Sequence, residues 1–386
     1  MAPFGAYIHI PFCARRCDYC AFATWTDKID LIDRYVSAVV TEIEQAIAAG
    51  MPECTSVFVG GGTPSLLRSE LIGRVLDAIP LAPDAELTVE CNPDDVTPPL
   101  LSTYREHGVN RVSIGVQSMA PHVLNALGRS HDPENVRRAV DAVQASGIAT
   151  FNVDLIYGAV GETIGDWERT LDEVLALAPP HVSAYGLTVE AGTPLADDPA
   201  RHPDDDDQAD KYVIADARLN AVGLENYEIS NWARPGHECR HNLLYWSEGD
   251  YTGFGCAAHS HRAGRRWWNL RTPERYLAAI ESGNSAEGGF EVLDGPARRV
   301  EALQLALRLR GGVPARALPV DQLPGLVEVR DGRAVLTVAG RLVANDLSLR
   351  LRDDEDLAGH DEVRVARLDQ PSSVRGDEIE PVAPNG

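Results

Sequence analysis

Six short apolar runs punctuate the first 190 residues, at 6–10, 56–59, 86–90, 111–115, 151–156 and 182–187. Each has the length of a buried strand, and the segments between them carry a helical period. Between the first two runs, Leu31, Tyr35, Val39, Ile43 and Ile47 recur every fourth residue, which lays one apolar stripe along a helix that Asp30 is placed to cap. Further helices are predicted at 70–79, 99–107, 133–146 and 166–177. Strand and helix alternate, so the fold class is α/β with a parallel sheet. Right-handed crossovers on six such units permit an open doubly wound sheet or a curved partial barrel, and periodicity does not choose between them.

The pattern then changes. Residues 197–207 read Asp-Asp-Pro-Ala-Arg-His-Pro-Asp-Asp-Asp-Asp, an acidic, proline-containing stretch expected to run as a solvated loop before a helix at 208–221. Its four successive aspartates lack the spaced ligands and the glycine of a calcium loop. Tryptophan becomes frequent between 230 and 270, with Trp232, Trp246, Trp267 and Trp268 against only Trp25 and Trp167 before. That shift predicts a first domain at 1–229 and a smaller α+β domain at 230–352. The second contains a helix at 297–310 and a hairpin at 327–338 turned by Asp331-Gly332. The acidic tail at 353–386 is too polar to build a core and is expected to be unstructured.

Composition narrows the function. The 386 residues include 58 acidic and 35 basic side chains, a net charge of −23, which repels phosphate backbones and argues against a nucleic-acid partner. With 44% hydrophobic residues the chain can bury a core, so global disorder is excluded. No apolar stretch reaches the roughly 18 residues of a transmembrane segment. The first residues lack the basic lead and long apolar core of a signal peptide, which predicts a cytoplasmic protein. Of seven cysteines, three crowd at 13, 17 and 20 while Cys54, Cys91, Cys239 and Cys256 stand apart. That is a metal site rather than a disulfide framework.

The crowded run, Cys13-Ala-Arg-Arg-Cys17-Asp-Tyr-Cys20, follows the first strand directly. Three thiolates can hold three irons of a [4Fe-4S] cubane and leave the fourth iron open to a small chelating molecule. A structural zinc site would want a fourth cysteine or histidine at suitable spacing, and none follows nearby. The second strand runs into Gly60-Gly-Gly-Thr63-Pro64, where glycines let a ligand approach the backbone and let N–H groups converge on a carboxylate; a tight strand-to-helix turn is the plainer reading. Gly253-Phe-Gly255-Cys-Ala-Ala258 mimics a dinucleotide fingerprint but lacks the helix and the downstream acid. Glu90, Gln117 and Asp154 fall where strands three to five should end, and Arg129 follows strand four, so all four share one rim. In a parallel barrel that C-terminal rim is the functional one.

These residues resemble the radical S-adenosylmethionine superfamily, and within it the group of oxygen-independent coproporphyrinogen III oxidases and HemW-type heme chaperones. The resemblance spans residues 5–352. It rests on Tyr7-Ile-His-Ile-Pro-Phe-Cys13, the cysteine run ending at Phe22, Gly60-Gly-Gly-Thr-Pro64, Glu90-Cys-Asn-Pro93, Asn110-Arg-Val-Ser-Ile-Gly-Val-Gln117 and Asp154-Leu-Ile-Tyr-Gly158. It implies a partial (β/α)6 TIM-type barrel, a [4Fe-4S] cluster on Cys13, Cys17 and Cys20, and S-adenosyl-L-methionine chelating the free iron. It also implies cofactor contacts from Tyr7, Phe22, Gly62, Thr63, Glu90, Gln117, Arg129 and Asp154.

Within the group, Phe22 stands where the oxidases carry a fourth cysteine, and only twelve residues precede Cys13 where the oxidases have a substantial segment. Both features favour the chaperones. His241-Asn-Leu-Leu-Tyr-Trp246 resembles their HNxxYW motif, which is associated with heme binding, so the resemblance points to a heme contact at His241. On the residues alone, a lone histidine in an aromatic segment reads as a hydrogen-bonded core residue. His259 and His261 are taken as structural. The resemblance further implies heme as ligand, an apo-hemoprotein acceptor that a membrane can hold, and a low-potential electron donor such as flavodoxin or ferredoxin. It assigns no catalytic residue and leaves enzymatic activity open; coproporphyrinogen III oxidation is the alternative function, and a purely structural metalloprotein a third. The chain departs from the group at Val160, where proline is usual, and in the tail after Arg352.

Overall fold

A computed structural model describes residues 3–352. Six strands, β1 (Phe4–Ile10), β2 (Cys54–Gly61), β3 (Leu81–Cys91), β4 (Arg111–Gln117), β5 (Thr150–Tyr157) and β6 (His181–Gly186), lie side by side in chain order, every neighbouring pair parallel. A doubly wound sheet would reverse that order at a switch point. The unbroken order is that of a partial barrel.

The crossovers run through α1 (Ile32–Ala48), α2 (Ser69–Asp77), α3 (Pro98–Glu106), α4 (Pro121–Ala126) with α5 (Pro133–Ser146), and α6 (Ile164–Ala176). The stripe on α1 behaves as its period requires: Tyr35, Val39 and Ile43 are fully buried, while Ile47 at its end is exposed. Asp30 does not cap α1. It lies inside a short turn, Ile29–Leu31, and Leu31 occupies the capping position without a side-chain bond. α4 was not foreseen, because six residues carry too little period to read.

The acidic run also differs from expectation. After a turn at Pro199–Arg201, Asp204 caps α7 (Asp205–Ala221) by accepting the Asp207 N–H at 2.9 Å, and Asp205, Asp206 and Asp207 form the first helical turn. Negative charge is favoured there by the unpaired N–H groups and dipole of the helix end. The run's last four residues, 204–207, cap and begin the helix, while 197–203 precede it without regular helix or strand apart from the short turn.

Chain beyond residue 221 extends the same sheet at both edges. β7 (Glu225–Glu228) and β8 (Asn231–Ala233) form a hairpin whose second strand pairs antiparallel with β6. After α8 (Arg240–Trp246), β9 (Asp250–Phe254) pairs parallel with β1. β10 (His259–Arg262), β11 (Arg265–Asn269) and β12 (Glu287–Val292) continue antiparallel from it, giving twelve strands. α9 (Pro273–Glu281) packs on α1, and α10 (Gly295–Ala306) leads into a second core of Leu303, Leu307, Leu318, Leu323 and Leu347. That core carries β13 (Val313–Pro314), β14 (Val327–Arg330), β15 (Arg333–Leu336), α11 (Val338–Leu342) and α12 (Ala344–Ser348). The β14–β15 turn is the expected one: Asp331 and Gly332 both take positive φ, 49° and 75°. The tail at 353–386 lies outside the described residues.

Candidate functional site at the carboxyl ends of the barrel strands

The cysteine loop leaves β1 and is closed at its base by two backbone bonds, Cys13 N–H to Trp25 O (3.1 Å) and Trp25 N–H to Pro11 O (2.7 Å). Cys13 is buried and Cys17 and Cys20 are half-buried. Thr63 Oγ1 donates to Cys13 Sγ at 3.6 Å, and the Arg129 guanidinium donates to Cys17 Sγ at 3.7 Å and to Gly115 O at 2.6 Å. Two of the three sulfurs therefore already accept from side-chain donors. Burial acts the other way, pushing the Cys13 thiol up and Cys20 up to about 11. Among the described residues no three His, Cys, Asp or Glu side chains converge tightly enough to hold one metal ion, as a zinc knot requires. Three thiolates around a cubane need only reach separate irons.

The glycine run explains itself by contact. Gly62 N–H and Thr63 N–H donate to Ile10 O and Phe12 O at 2.7 and 2.8 Å, so β2 is laced to the start of the cysteine loop. A Cβ on Gly62 would sit 2.6 Å from Phe12 O, and one on Gly61, where φ is 108°, would sit 2.4 Å from His9 Nδ1. These N–H groups are thus spent on the backbone, and the run supplies room rather than free donors. The remaining one, Gly61 N–H, does reach a carboxylate, the chain's own Glu90 at 3.1 Å.

Glu90 and Asp154 face each other's field inside the barrel. Burial, with Asp154 adding to it, pushes Glu90 up to about 8. Asp154 is also raised by burial, although it accepts from Ser113 Oγ and Asn152 Nδ2, both at 2.7 Å. Neither carboxylate has a basic side chain within ion-pairing distance among the described residues, so a cationic ligand would be stabilised between them. Gln117 ends β4 in a left-handed conformation, φ 64°, after a register break at Gly115, and its amide lies beside Arg129 over Gly115. Tyr7 bonds through its hydroxyl to His9 Nδ1 at 3.0 Å, and His9 Nε2 meets Ala23 O at 2.9 Å. His9 was missed from sequence, although its two-residue offset from Tyr7 on a strand puts both on one face. The donor set of three thiols, flanking hydrogen-bond donors and two half-buried acids with no ion-pair partner among the described residues fits a cluster with a cationic ligand.

Two predicted residues stand apart. Phe22 is 41% exposed on the loop beyond Cys20. His241 lies at the opposite mouth of the barrel, where the segment before and through α8 covers the strand starts: Arg111 donates to His237 O (2.9 Å), Thr150 Oγ1 bonds with His237 Nδ1 (2.7 Å), and Tyr227 hydroxyl bonds with His181 (2.9 Å). His241 is 0% exposed, with Nδ1 on Ser56 Oγ (3.0 Å), Nε2 on Tyr245 hydroxyl (2.8 Å) and its ring stacked on Phe58 at 5.7 Å. Burial pushes it down to about 3. Both ring nitrogens are engaged, so ligation of an iron requires one of them to leave its partner, Nδ1 from Ser56 or Nε2 from Tyr245.

Residues 7–174 match the radical SAM superfamily. The heme chaperone HemW of Mycobacterium tuberculosis H37Rv is 42% identical over 363 residues, covering 89% of this chain and 93% of that protein. Its counterpart in Bacillus subtilis 168 is 33% identical over 374 residues, covering 89% and 97%, and that of Escherichia coli K12 is 40% identical over 265 residues, covering 67% and 70%. Among solved structures, coproporphyrinogen III oxidase (HemN) from Escherichia coli, described as a radical SAM enzyme, superposes with a TM-score of 0.78 at 22% identity over 90% of this chain and 89% of that one. That likeness establishes the fold. With relatives in Mycobacterium tuberculosis and Bacillus subtilis matched over 93% and 97% of their length at 42% and 33% identity, the chain belongs to the HemW heme chaperone family of the radical SAM superfamily.

Proposed function

We propose that this chain binds heme and passes it to an apoprotein, and that it carries a [4Fe-4S] cluster on Cys13, Cys17 and Cys20 with exchangeable S-adenosyl-L-methionine on the free iron. The observation that carries the reading is the coexistence, on one barrel, of the thiol loop with its acid-lined rim and the His241-to-Trp246 helix at the other mouth. When bound, cluster and sulfonium together supply one-electron chemistry. The chain's residues have separate tasks. Arg129 and Thr63 donate hydrogen bonds to Cys17 Sγ and Cys13 Sγ and so orient the two sulfurs. Glu90 and Asp154 receive the cationic end of the ligand, and Gln117 and Tyr7 line its place, Tyr7 oriented by His9. Gly62 contributes space. Phe22, exposed on the loop beyond Cys20, is a further cofactor contact in this reading.

Heme is assigned to α8, with His241 as its contact once one ring nitrogen is released. The acceptor is an apo-hemoprotein, a flavodoxin or ferredoxin supplies electrons, and the chain works in the cytoplasm. No helix among the described residues is long and apolar enough to cross a membrane. The test is a heme titration of anaerobically reconstituted protein, wild type beside His241→Ala. Saturable binding near one heme per chain, weakened or spectrally altered in the variant, is expected. If binding does not saturate, the reading fails, and coproporphyrinogen III turnover becomes the function to assay.

A further inference from the structure

The middle of the cysteine loop has few ties to the rest of the molecule, and most of them pass through Asp18, the residue after Cys17. Its N–H donates to Leu127 O at 3.2 Å, and its carbonyl accepts the Leu195 N–H at 3.0 Å. Its carboxylate accepts from Arg201 Nη2 at 2.7 Å, and the same guanidinium nitrogen donates to Ala126 O at 2.7 Å. Gly128 packs against this hub so closely that a Cβ there would lie 2.6 Å from Asp18 Oδ1. The residue following Gly128 is Arg129, which reaches Cys17 Sγ. Arg201 thus ties together three segments distant in sequence: the cysteine loop, the end of α4 that launches Arg129, and the loop before α7.

We infer that Asp18 and Arg201 are positioning residues that hold Cys17 in register with Arg129 and so set how tightly the cluster is retained; this rests on the cluster reading above. Two physical effects act together. The pair fixes the loop geometry, since both side chains are mostly withdrawn from solvent, at 31% and 23% exposure. The guanidinium also neutralises a carboxylate that would otherwise stand one residue from an anionic cluster ligand. Groups that hydrogen-bond a metal's ligands commonly change its retention by about tenfold or more when removed; Arg129 is such a group for Cys17, and Arg201 acts on it one contact further out, through Asp18 and the end of α4.

The two effects make separable predictions for the full-length chain, reconstituted anaerobically as wild type, Arg201→Ala, Arg201→Lys, Asp18→Asn and the Asp18→Asn/Arg201→Ala double variant. Iron and sulfide per chain, the rate at which a chelator bleaches the visible cluster absorbance, and the paramagnetic resonance spectrum of the reduced cluster are read, with circular dichroism and thermal unfolding to confirm folding. Arg201→Ala, folded, should lose cluster about tenfold faster than wild type, and Arg201→Lys should recover part of that loss. The double variant should hold its cluster better than Arg201→Ala, because it no longer leaves a bare carboxylate beside Cys17; a purely structural role would make it worse. Cluster loss within about twofold of wild type in folded Arg201→Ala, or a double variant worse than both singles, overturns the inference. Failure of the wild type itself to load iron removes the cluster reading and this inference with it, and is recognised because it occurs before any substitution is made.

Discussion

His241 offers the sharpest perturbation, because its two possible roles make opposite demands on one ring. In His241→Ala, Ser56 and Tyr245 each lose their bond to the imidazole, about 1–3 kcal/mol apiece. The emptied volume between Phe58 and Tyr245 adds a cavity cost, for about 3–6 kcal/mol in all. Against a typical total stability of about 5–15 kcal/mol, that is readily measured by urea unfolding. The loss carries a pH signature. Burial holds the folded imidazole near 3, below its unfolded 6.5, so the unfolded chain takes up the proton first. Its contribution is therefore fully present above pH 6.5 and is lost as pH falls toward 3, at about 1.4 kcal/mol per unit. The gap between wild type and variant should narrow by about 2 kcal/mol between pH 7.5 and pH 5.

The companion substitution is Tyr245→Phe, which leaves the ring in place and frees Nε2. If His241 ligates heme through Nε2, removing its competitor should tighten heme binding by about fivefold, the worth of one hydrogen bond, while His241→Ala weakens it. A stability loss below about 1 kcal/mol in His241→Ala would refute the buried, doubly bonded arrangement. Heme affinity unchanged by both substitutions would refute the ligand assignment while leaving the buried arrangement intact.

Three further outcomes are expected. Glu90→Gln should be more stable than wild type at pH 8 and above and indistinguishable from it near pH 4.5, because the raised carboxyl of Glu90 contributes stability below its unfolded range that is lost as pH rises through about 8; equal pH profiles in urea unfolding would contradict the buried acid pair. Lys211→Met should cost about 3–5 kcal/mol, since the fully buried ammonium pairs with Glu162 (3.1 Å) and Asp207 (2.6 Å) and its loss strands Glu162, and adding Glu162→Gln should restore much of it; a double variant no better than the single would contradict that account. Gly62→Ala should lower both the thermal transition and the reconstituted iron per chain, because its methyl meets the backbone carbonyls of Phe12 and Ile10 at 2.6 and 2.8 Å and forces the β2–loop junction to shift; unchanged stability with normal iron content would show that the junction absorbs the methyl without moving its thiols.

What the chain discloses by inspection follows the range of the interaction concerned. The α1 stripe and the Asp331-Gly332 turn are properties of a few neighbouring residues, and each stands where its local pattern placed it, whereas Asp154 falls inside β5 (Thr150–Tyr157) rather than at its end. The cysteine spacing is equally local, and it puts Cys13, Cys17 and Cys20 on the one loop that leaves β1. Parallel pairing of β9 with β1 is not, since it joins residues some 250 apart through backbone bonds that carry no residue signature. Asp18 is a similar case: in the chain it is one more acid beside a cysteine, and its weight comes from Leu127, Leu195 and Arg201, which meet it only once α4 and α7 are docked. His241 marks where the two kinds of knowledge diverge. Its motif spacing speaks of function, whereas its hydrogen bonds describe a core residue, and both are satisfied only if the helix that seals the barrel mouth is also the element that opens to take up heme. That helix is held by Ser56, Glu86 and a tyrosine on its own next turn, and Leu244 and the His241 ring pack on β1 and β2 beneath it, so heme uptake at this mouth would have to break those contacts.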